Sequence, residues 1–96
     1  MKINKSTSIK LAKKYNIDLN IIDIDDWVFG LNVELEHGNK ISKLTNITGN
    51  NIDLTCKIAI AHLLESPRYY RFLKKLEDRE DRYWINRNKP SIFIKK

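Results

Sequence analysis

Residues 53–76 read DLTCKIAIAHLLESPRYYRFLKKL, and this stretch carries the clearest structural signal in the sequence. Its first half predicts an α-helix over residues 54–65. Apolar residues such as Leu54 and Ile58 recur there at the period that places side chains on one side of a helix. Asp53 stands immediately before them, and aspartate is a preferred N-cap residue. The first half therefore predicts a capped helix with one apolar side.

The second half of the stretch predicts another helix, separated from the first by a proline. Pro67 is favourable near a helix start, where its missing N–H costs no hydrogen bond. Tyr69, Phe72 and Leu76 follow at spacings of three and four residues, with charged residues between them. This is the pattern of a helix with one solvated side, and we expect it to continue to Trp84.

The N-terminal part of the chain predicts a third helix, over residues 7–15. Apolar side chains recur at every third position from Ile9 to Tyr15, so they share one side of a helix. Ser6 and Ser8 are the candidate N-caps, because a serine hydroxyl can accept a hydrogen bond from a free backbone N–H of the first turn.

Residues 27–37 fit either a strand or a helix. Their apolar residues alternate, as in a half-buried strand, but several of them also follow the helical period. We favour a helix because Asp25 or Asp26 can cap its start. Gly38 also stands where a glycine commonly ends a helix.

Together these elements predict an all-α fold of three to four short helices in a single domain, residues 1–96. A chain of this length buries a smaller fraction of its surface than a larger domain does, and symmetric dimers are the commonest oligomers. We therefore expect a homodimer. Its interface would cover the aromatic residues that one thin helical layer leaves exposed, which are Trp27, Phe29, Tyr69 and Phe72.

Positive charge is concentrated at the two ends of the chain, whose formal net charge is +6. Residues 1–17 contain five lysines and no acid, and residues 82–96 contain five positive charges and no acid. Between them, residues 18–36 contain six acids and neither Lys nor Arg. Two basic segments therefore flank a body of mixed charge.

We expect an intracellular protein, in the cytoplasm or nucleus of a host cell or in a virion. No apolar run approaches the ~20 residues that cross a bilayer, and the first ten residues lack the apolar core of a signal peptide. Cys56 is the only cysteine, so no internal disulfide can form, as is typical of reducing compartments. No membrane partner is expected.

Two motifs stand on either side of a loop rich in Thr and Asn. They read Gly30-x-x-Val33-Glu34-x-Glu36-His37-Gly38 and Lys57-Ile58-Ala59-x-Ala61-His62-Leu63-x-Glu65-x-Pro67-x-Tyr69-Tyr70. Over about residues 29–77 the chain resembles a family of short helical proteins of unknown function found in bacteria, phages and large DNA viruses. The resemblance implies a helical fold and assigns no activity. Arg68 and Asn50-Asn51 stand where the family pattern has acids, which makes this chain more basic.

The motifs contain two carboxylate–imidazole pairs at helical spacing. Glu34 and His37 are three residues apart, as are His62 and Glu65, so each pair would share a helix face. Such pairs on antiparallel neighbouring helices could bind a metal, although the full ligand set of a di-iron site is missing. We favour the alternative in which His37 closes a helix and His62 packs in the core beside Glu65. No metal and no cofactor are expected.

Enzymatic activity is not expected either. Cys56 and His62 are six residues apart, which puts them on different faces of a helix and prevents a nucleophile–base pair. No Gly-x-Ser-x-Gly sequence is present.

The remaining signal is the mixture of basic and aromatic residues at the two ends. Lys and Arg neutralise phosphates, and Trp and Tyr can stack on unpaired bases. We therefore predict a small basic accessory protein of viral or phage type that binds DNA or RNA without strong sequence preference. A metal-binding helical module and a scaffold that uses its apolar faces are the alternatives. The residues predicted to bind nucleic acid are Lys10, Lys13, Lys14, Arg82, Trp84, Arg87 and Lys89.

Overall fold

The computed structural model describes residues 2–36 and 51–87. Within them the chain forms four α-helices and no strand, so the predicted all-α fold is confirmed. The ambiguous segment after Asp26 is a helix. Its expected end at His37 and Gly38 lies outside the described residues. The helices are α1 (Lys5–Lys14), α2 (Ile24–Leu35), α3 (Ile52–Glu65) and α4 (Tyr69–Trp84).

Helix α1 begins earlier than predicted because Asn4 caps it. The Asn4 side chain accepts the backbone N–H of Thr7 at 2.8 Å. The predicted caps, Ser6 and Ser8, are wrong. Ser8 is instead fully buried, and its hydroxyl donates to the Asn4 carbonyl at 2.8 Å.

Helices α2 and α3 also begin upstream of their predicted caps. Asp23 caps α2 by accepting the backbone N–H groups of Asp25 and Asp26, the two residues predicted to be caps. Asn51 caps α3 by accepting a backbone N–H of its first turn at 3.0 Å. Asp53 therefore lies inside α3, and its carboxylate is available for a contact with another helix.

The break between α3 and α4 occurs at the predicted proline. Pro67 lies in a tight turn, in which the N–H of Tyr69 donates to the Ser66 carbonyl at 3.0 Å. The turn places Pro67 just before α4 rather than at its first helical position. As expected, α4 extends to Trp84.

Helix α2 is the centre of the fold and contacts each of the other three helices. Trp27 and Leu31 on α2 are fully buried, as are Ala59 on α3 and Tyr70 on α4. The Trp27 indole N–H donates to the Ser8 carbonyl of α1 at 2.8 Å, so its one polar atom is paired. Trp27 therefore needs no second copy to bury it, and that part of the reasoning for a dimer is wrong.

The segment before α1 is tied to the far end of α2 by one amide side chain. Asn32 accepts the N–H of Ile3 at 2.8 Å and donates to the Ile3 carbonyl at 2.9 Å. Because residue 3 lies beside residue 32 and Ser8 beside Trp27, α1 runs antiparallel to α2.

Helix α3 runs in the same direction as α2. The start of α3 lies beside the end of α1, where Lys14 contacts Asp53. Its last turn lies beside the last turn of α2, where His62 contacts Glu34. The antiparallel arrangement considered for a metal site is therefore wrong. A short connection would have produced an antiparallel pair, whereas the long connection between α2 and α3 lets the chain return to the other end.

Candidate functional site

The two sequence motifs meet where α2, α3 and α4 come together. The Tyr70 hydroxyl donates to the Glu34 carboxylate at 2.7 Å, and both residues are buried. A charged acceptor makes this hydrogen bond stronger than one between neutral groups. It joins the first motif directly to the end of the second.

Gly30 makes the approach of Tyr70 possible. Gly30 and Glu34 are four residues apart and so lie on the same face of α2, one turn from each other. A Cβ atom added at Gly30 would lie 2.5 Å from the Tyr70 Cε2 atom, far inside van der Waals contact. The Tyr70 ring therefore packs directly on the backbone of α2, and this position brings the hydroxyl to Glu34.

Tyr70 is held as a neutral hydrogen-bond donor. Burial raises the pKa of its hydroxyl far above the ordinary value, and the hydrogen bond to Glu34 raises it further. A phenol that keeps its proton and points at a buried carboxylate stabilises the helix packing. It does not have the properties of a general base.

His62 lies between two carboxylates without a hydrogen bond to either. Its Nε2 atom is 3.8 Å from Glu34 Oε2, and its Nδ1 atom is 3.8 Å from Glu65 Oε2. The imidazole stacks on the Tyr69 ring, with the ring centroids 4.3 Å apart and the planes 5° from parallel. The Nδ1 atom of His62 is buried, and it has no hydrogen-bond partner among the described residues.

Three of the four residues considered as metal ligands are thus close together, and the fourth, His37, lies outside the described residues. In residues 2–36 and 51–87, no group of three or more His, Cys, Asp or Glu side chains is arranged to hold a metal ion. Glu34 is already engaged with Tyr70, so it is not an open ligand. This geometry gives the metal-binding alternative no support.

Cys56 has the environment of a structural cysteine. It is fully buried, and burial raises the pKa of its thiol, so the reactive thiolate is disfavoured. The arrangement around it provides no nucleophile.

The lysines predicted to bind nucleic acid on α1 occupy the outer side of that helix. Lys10, Lys13 and Lys14 are all exposed, and the buried residues of α1, Ser8 and Ala12, lie on its opposite side. Lys10 and Lys13 form no ion pair within the described part of the chain. Their positive charges are therefore available to a ligand.

Lys14, unlike Lys10 and Lys13, forms an ion pair with an acid of another helix. Its ammonium group lies 2.9 Å from the Asp53 carboxylate, which also accepts the Tyr15 hydroxyl at 2.6 Å. The hydrogen bond to Asp53 raises the pKa of Lys14. The hydrogen bonds from Tyr15 and Lys14 lower the pKa of Asp53. Asp53 therefore offsets part of the charge of Lys14 and links α1 to α3, a role that sequence reasoning missed because it assigned Asp53 as a cap.

At the other end, Trp84 and Arg87 both contact Tyr83. The Arg87 guanidinium lies 4.2 Å from the centroid of the Tyr83 ring, and its Nη1 atom donates to the Tyr83 carbonyl at 2.6 Å. The Tyr83 and Trp84 rings meet edge to face, 4.9 Å apart. Arg82, Tyr83 and Arg87 are exposed and Trp84 is half-buried, while Lys89 lies outside the described residues.

Among the described residues, no helix is both long enough and apolar enough to cross a membrane.

Comparison with known proteins places the chain in a family without assigning an activity. No curated protein and no solved structure matches it. A family model with the description "Protein of unknown function (DUF5661)" matches residues 8–79, from the middle of α1 well into α4. The matched region contains Gly30, Glu34, His62 and Tyr70, the residues that join α2, α3 and α4. The chain therefore belongs to DUF5661, a family of proteins of unknown function.

Proposed function

We propose that this protein is a non-enzymatic accessory protein that binds DNA or RNA through its two basic ends. The observation that carries the proposal is the outer side of α1. Lys10 and Lys13 are exposed there with no acid on the helix and no ion pair within the described residues. When unpaired lysines bind phosphates, the counterions condensed on the nucleic acid are released. This release favours binding without sequence preference.

The aromatic cluster at the end of α4 supports the same function. Tyr83 is exposed and already stacks with Arg87, so the cluster presents both a π-face and a cation. Aromatic side chains of this kind stack on unpaired bases of any sequence. A preference for single-stranded over duplex nucleic acid would follow if this cluster contributes to binding.

The biological setting is part of the proposal. The high content of Lys, Asn and Ile is the bias expected of AT-rich genes, which bacteria, phages and large DNA viruses can all have. Within that range we propose a viral or phage-type protein that acts inside a host cell or within a virion. We also propose that the two sequence motifs recur in relatives from bacteria, phages and large DNA viruses.

The test compares two double variants that remove the same charge from different places. Lys10→Ala/Lys13→Ala removes two exposed lysines of α1, and Lys57→Ala/Lys74→Ala removes two exposed lysines outside the basic ends. Fluorescence anisotropy with a labelled duplex and a labelled single strand measures affinity as a function of salt. We expect the first variant to bind more weakly, with a salt slope shallower by about 1 for each lysine removed. Equal weakening by both variants would show a non-specific effect of net charge, and no binding at low salt would exclude the function.

A further inference from the structure

One side of α4 is left uncovered by the other helices that the structure describes. Phe72, Leu76 and Tyr83 are each about half exposed, at 50%, 51% and 49%. They recur at spacings of four and seven residues, and Tyr69, three residues before Phe72, begins the same stripe. Tyr69 is half-buried because its ring stacks on His62 of α3. The side of α4 that packs on α2 and α3 is centred on Tyr70 and Leu73. We call the first set the α4 stripe.

The α4 stripe follows the heptad pattern of a helix that pairs with another helix. With the heptad positions lettered a to g, Tyr69, Leu76 and Tyr83 take position a, and Phe72 takes position d. Arg79 takes the second d position. A polar residue at one such site lowers affinity but helps to fix the register and the number of strands.

The charges beside the stripe differ from one flank to the other. Arg68, Lys75 and Arg82 take position g on one flank, and Glu80 takes position e on the other. All four are exposed, and within residues 2–36 and 51–87 none of them forms an ion pair. The stripe therefore has one basic flank and one flank that carries acidic charge.

This arrangement selects both a partner and an orientation. In a parallel pair of helices, position g of one helix faces position e of the other, five residues further along. Lys75 would then face Glu80 of the second copy, on both sides of the two-fold axis. The two Arg79 side chains would face each other at position d, and the Glu80 carboxylates beside them would offset that repulsion. In an antiparallel pair the basic flanks would face each other, which is unfavourable.

We propose that α4 pairs in parallel with α4 of a second copy, with the α4 stripe at the centre and Lys75 paired to Glu80 across the interface. The proposal does not rest on nucleic-acid binding, but the two share Tyr83: a Tyr83 ring packed between two α4 helices cannot also stack on a base.

The test is a charge-reversal series followed by light scattering and sedimentation at micromolar concentration. We expect the unmodified chain to have twice the mass of one chain. Lys75→Glu and Glu80→Lys should each raise the dimer dissociation constant about tenfold or more, because both symmetry-related pairs become repulsive. The double variant Lys75→Glu/Glu80→Lys should restore the dimer, and an equal mixture of the two single variants should form a heterodimer.

Loss of folding would not imitate these results. Lys75→Glu places a glutamate four residues before Arg79, and Glu80→Lys places a lysine three residues after Glu77, so each change adds a favourable pair within α4. Lys57→Glu, at an exposed residue of α3, is the control for charge and should leave the mass unchanged.

The apolar part of the interface has its own matched pair of variants. Leu76→Gln should give a monomer, whereas Leu64→Gln, at a residue 82% exposed on α3, should not. A monomer at every concentration for the unmodified chain, a double variant that stays monomeric, or a Leu76→Gln variant that stays dimeric would each overturn the proposal.

Discussion

At the scale of single residues, Glu34 of the first motif joins α2 to α4. Glu34 accepts a hydrogen bond from Tyr70, and Gly30 provides the space for the Tyr70 ring. The sequence places Gly30 and Glu34 on one helix face, but it contains no sign that Tyr70 from another helix would contact both. Sequence spacing predicts neighbours within a helix, whereas contacts between helices depend on how they pack.

Gly30→Ala should destabilise the protein, although Gly→Ala inside a helix normally stabilises it. The added methyl group would meet the Tyr70 ring at 2.5 Å, and overpacking of this kind costs about 1–3 kcal/mol. The usual gain in helix propensity is only about 0.5–1 kcal/mol, so the clash should dominate. Chemical denaturation followed by far-UV circular dichroism gives the free energy of unfolding.

A double-variant cycle controls this prediction. In a Tyr70→Ala background the ring is absent, so adding Gly30→Ala should stabilise the chain rather than destabilise it. The same loss of stability in both backgrounds would show that the Tyr70 contact is not the cause.

Tyr70→Phe should lower the free energy of unfolding by about 1–3 kcal/mol, because the buried Glu34 carboxylate loses a hydrogen-bond donor. Tyr83→Phe, at an exposed residue, is the matched control and should have almost no effect. Thermal or chemical denaturation of both variants at neutral pH measures the difference. Equal effects at the two positions would contradict the role given to Tyr70.

Tyr70 should also make the protein sensitive to alkali. Its pKa is raised in the folded state above the ordinary value of 10.0, so near pH 10 the unfolded chain loses this proton while the folded chain keeps it. The stability that Tyr70 contributes is therefore complete below pH 10 and is lost as the pH rises above it. Denaturation curves across this range should fall less steeply for Tyr70→Phe than for the unmodified chain, and parallel curves would contradict the account.

At the scale of the elements, the sequence predicted the number of helices and their approximate ranges. The apolar period of α3 and α4 and the proline between them are local features of the sequence. They therefore predict these helices without any knowledge of how the helices pack. The caps were less predictable. Several Ser, Asn and Asp residues precede each helix, and each of these residue types can cap, so the choice depends on where the chain enters the fold.

The tie between the N-terminal segment and α2 was not predictable, because an asparagine inside a helix gives no indication of a distant backbone partner. Asn32→Ala should remove both hydrogen bonds to Ile3 and expose the Ile3 amide to solvent exchange. We expect a loss of about 1–3 kcal/mol in the free energy of unfolding. Hydrogen exchange measured by NMR tests this. Asn20→Ala, in an exposed turn, should leave Ile3 protected, and protection of Ile3 in both variants would contradict the tie.

At the scale of the whole molecule, the segregation of charge was visible in the sequence, but the direction of α3 was not. The contacts of Asp53 with Lys14 and of His62 with Glu34 show that α3 runs parallel to α2. Helix direction depends on how the long connection returns the chain, and loop sequence does not encode that path. The contact between His62 and Glu34 was unpredictable for the same reason. The two residues are neighbours because α3 runs parallel to α2.

The most direct test of nucleic-acid binding is an NMR titration of the labelled protein with a short DNA strand at low salt. The account predicts that the amide signals of Lys10, Lys13 and residues 82–87 shift, and that the buried Trp27 indole signal does not. Added salt should reverse the shifts, as expected for contacts with phosphates. A titration that leaves Lys10 and Lys13 unchanged would contradict the claim that the basic ends bind nucleic acid.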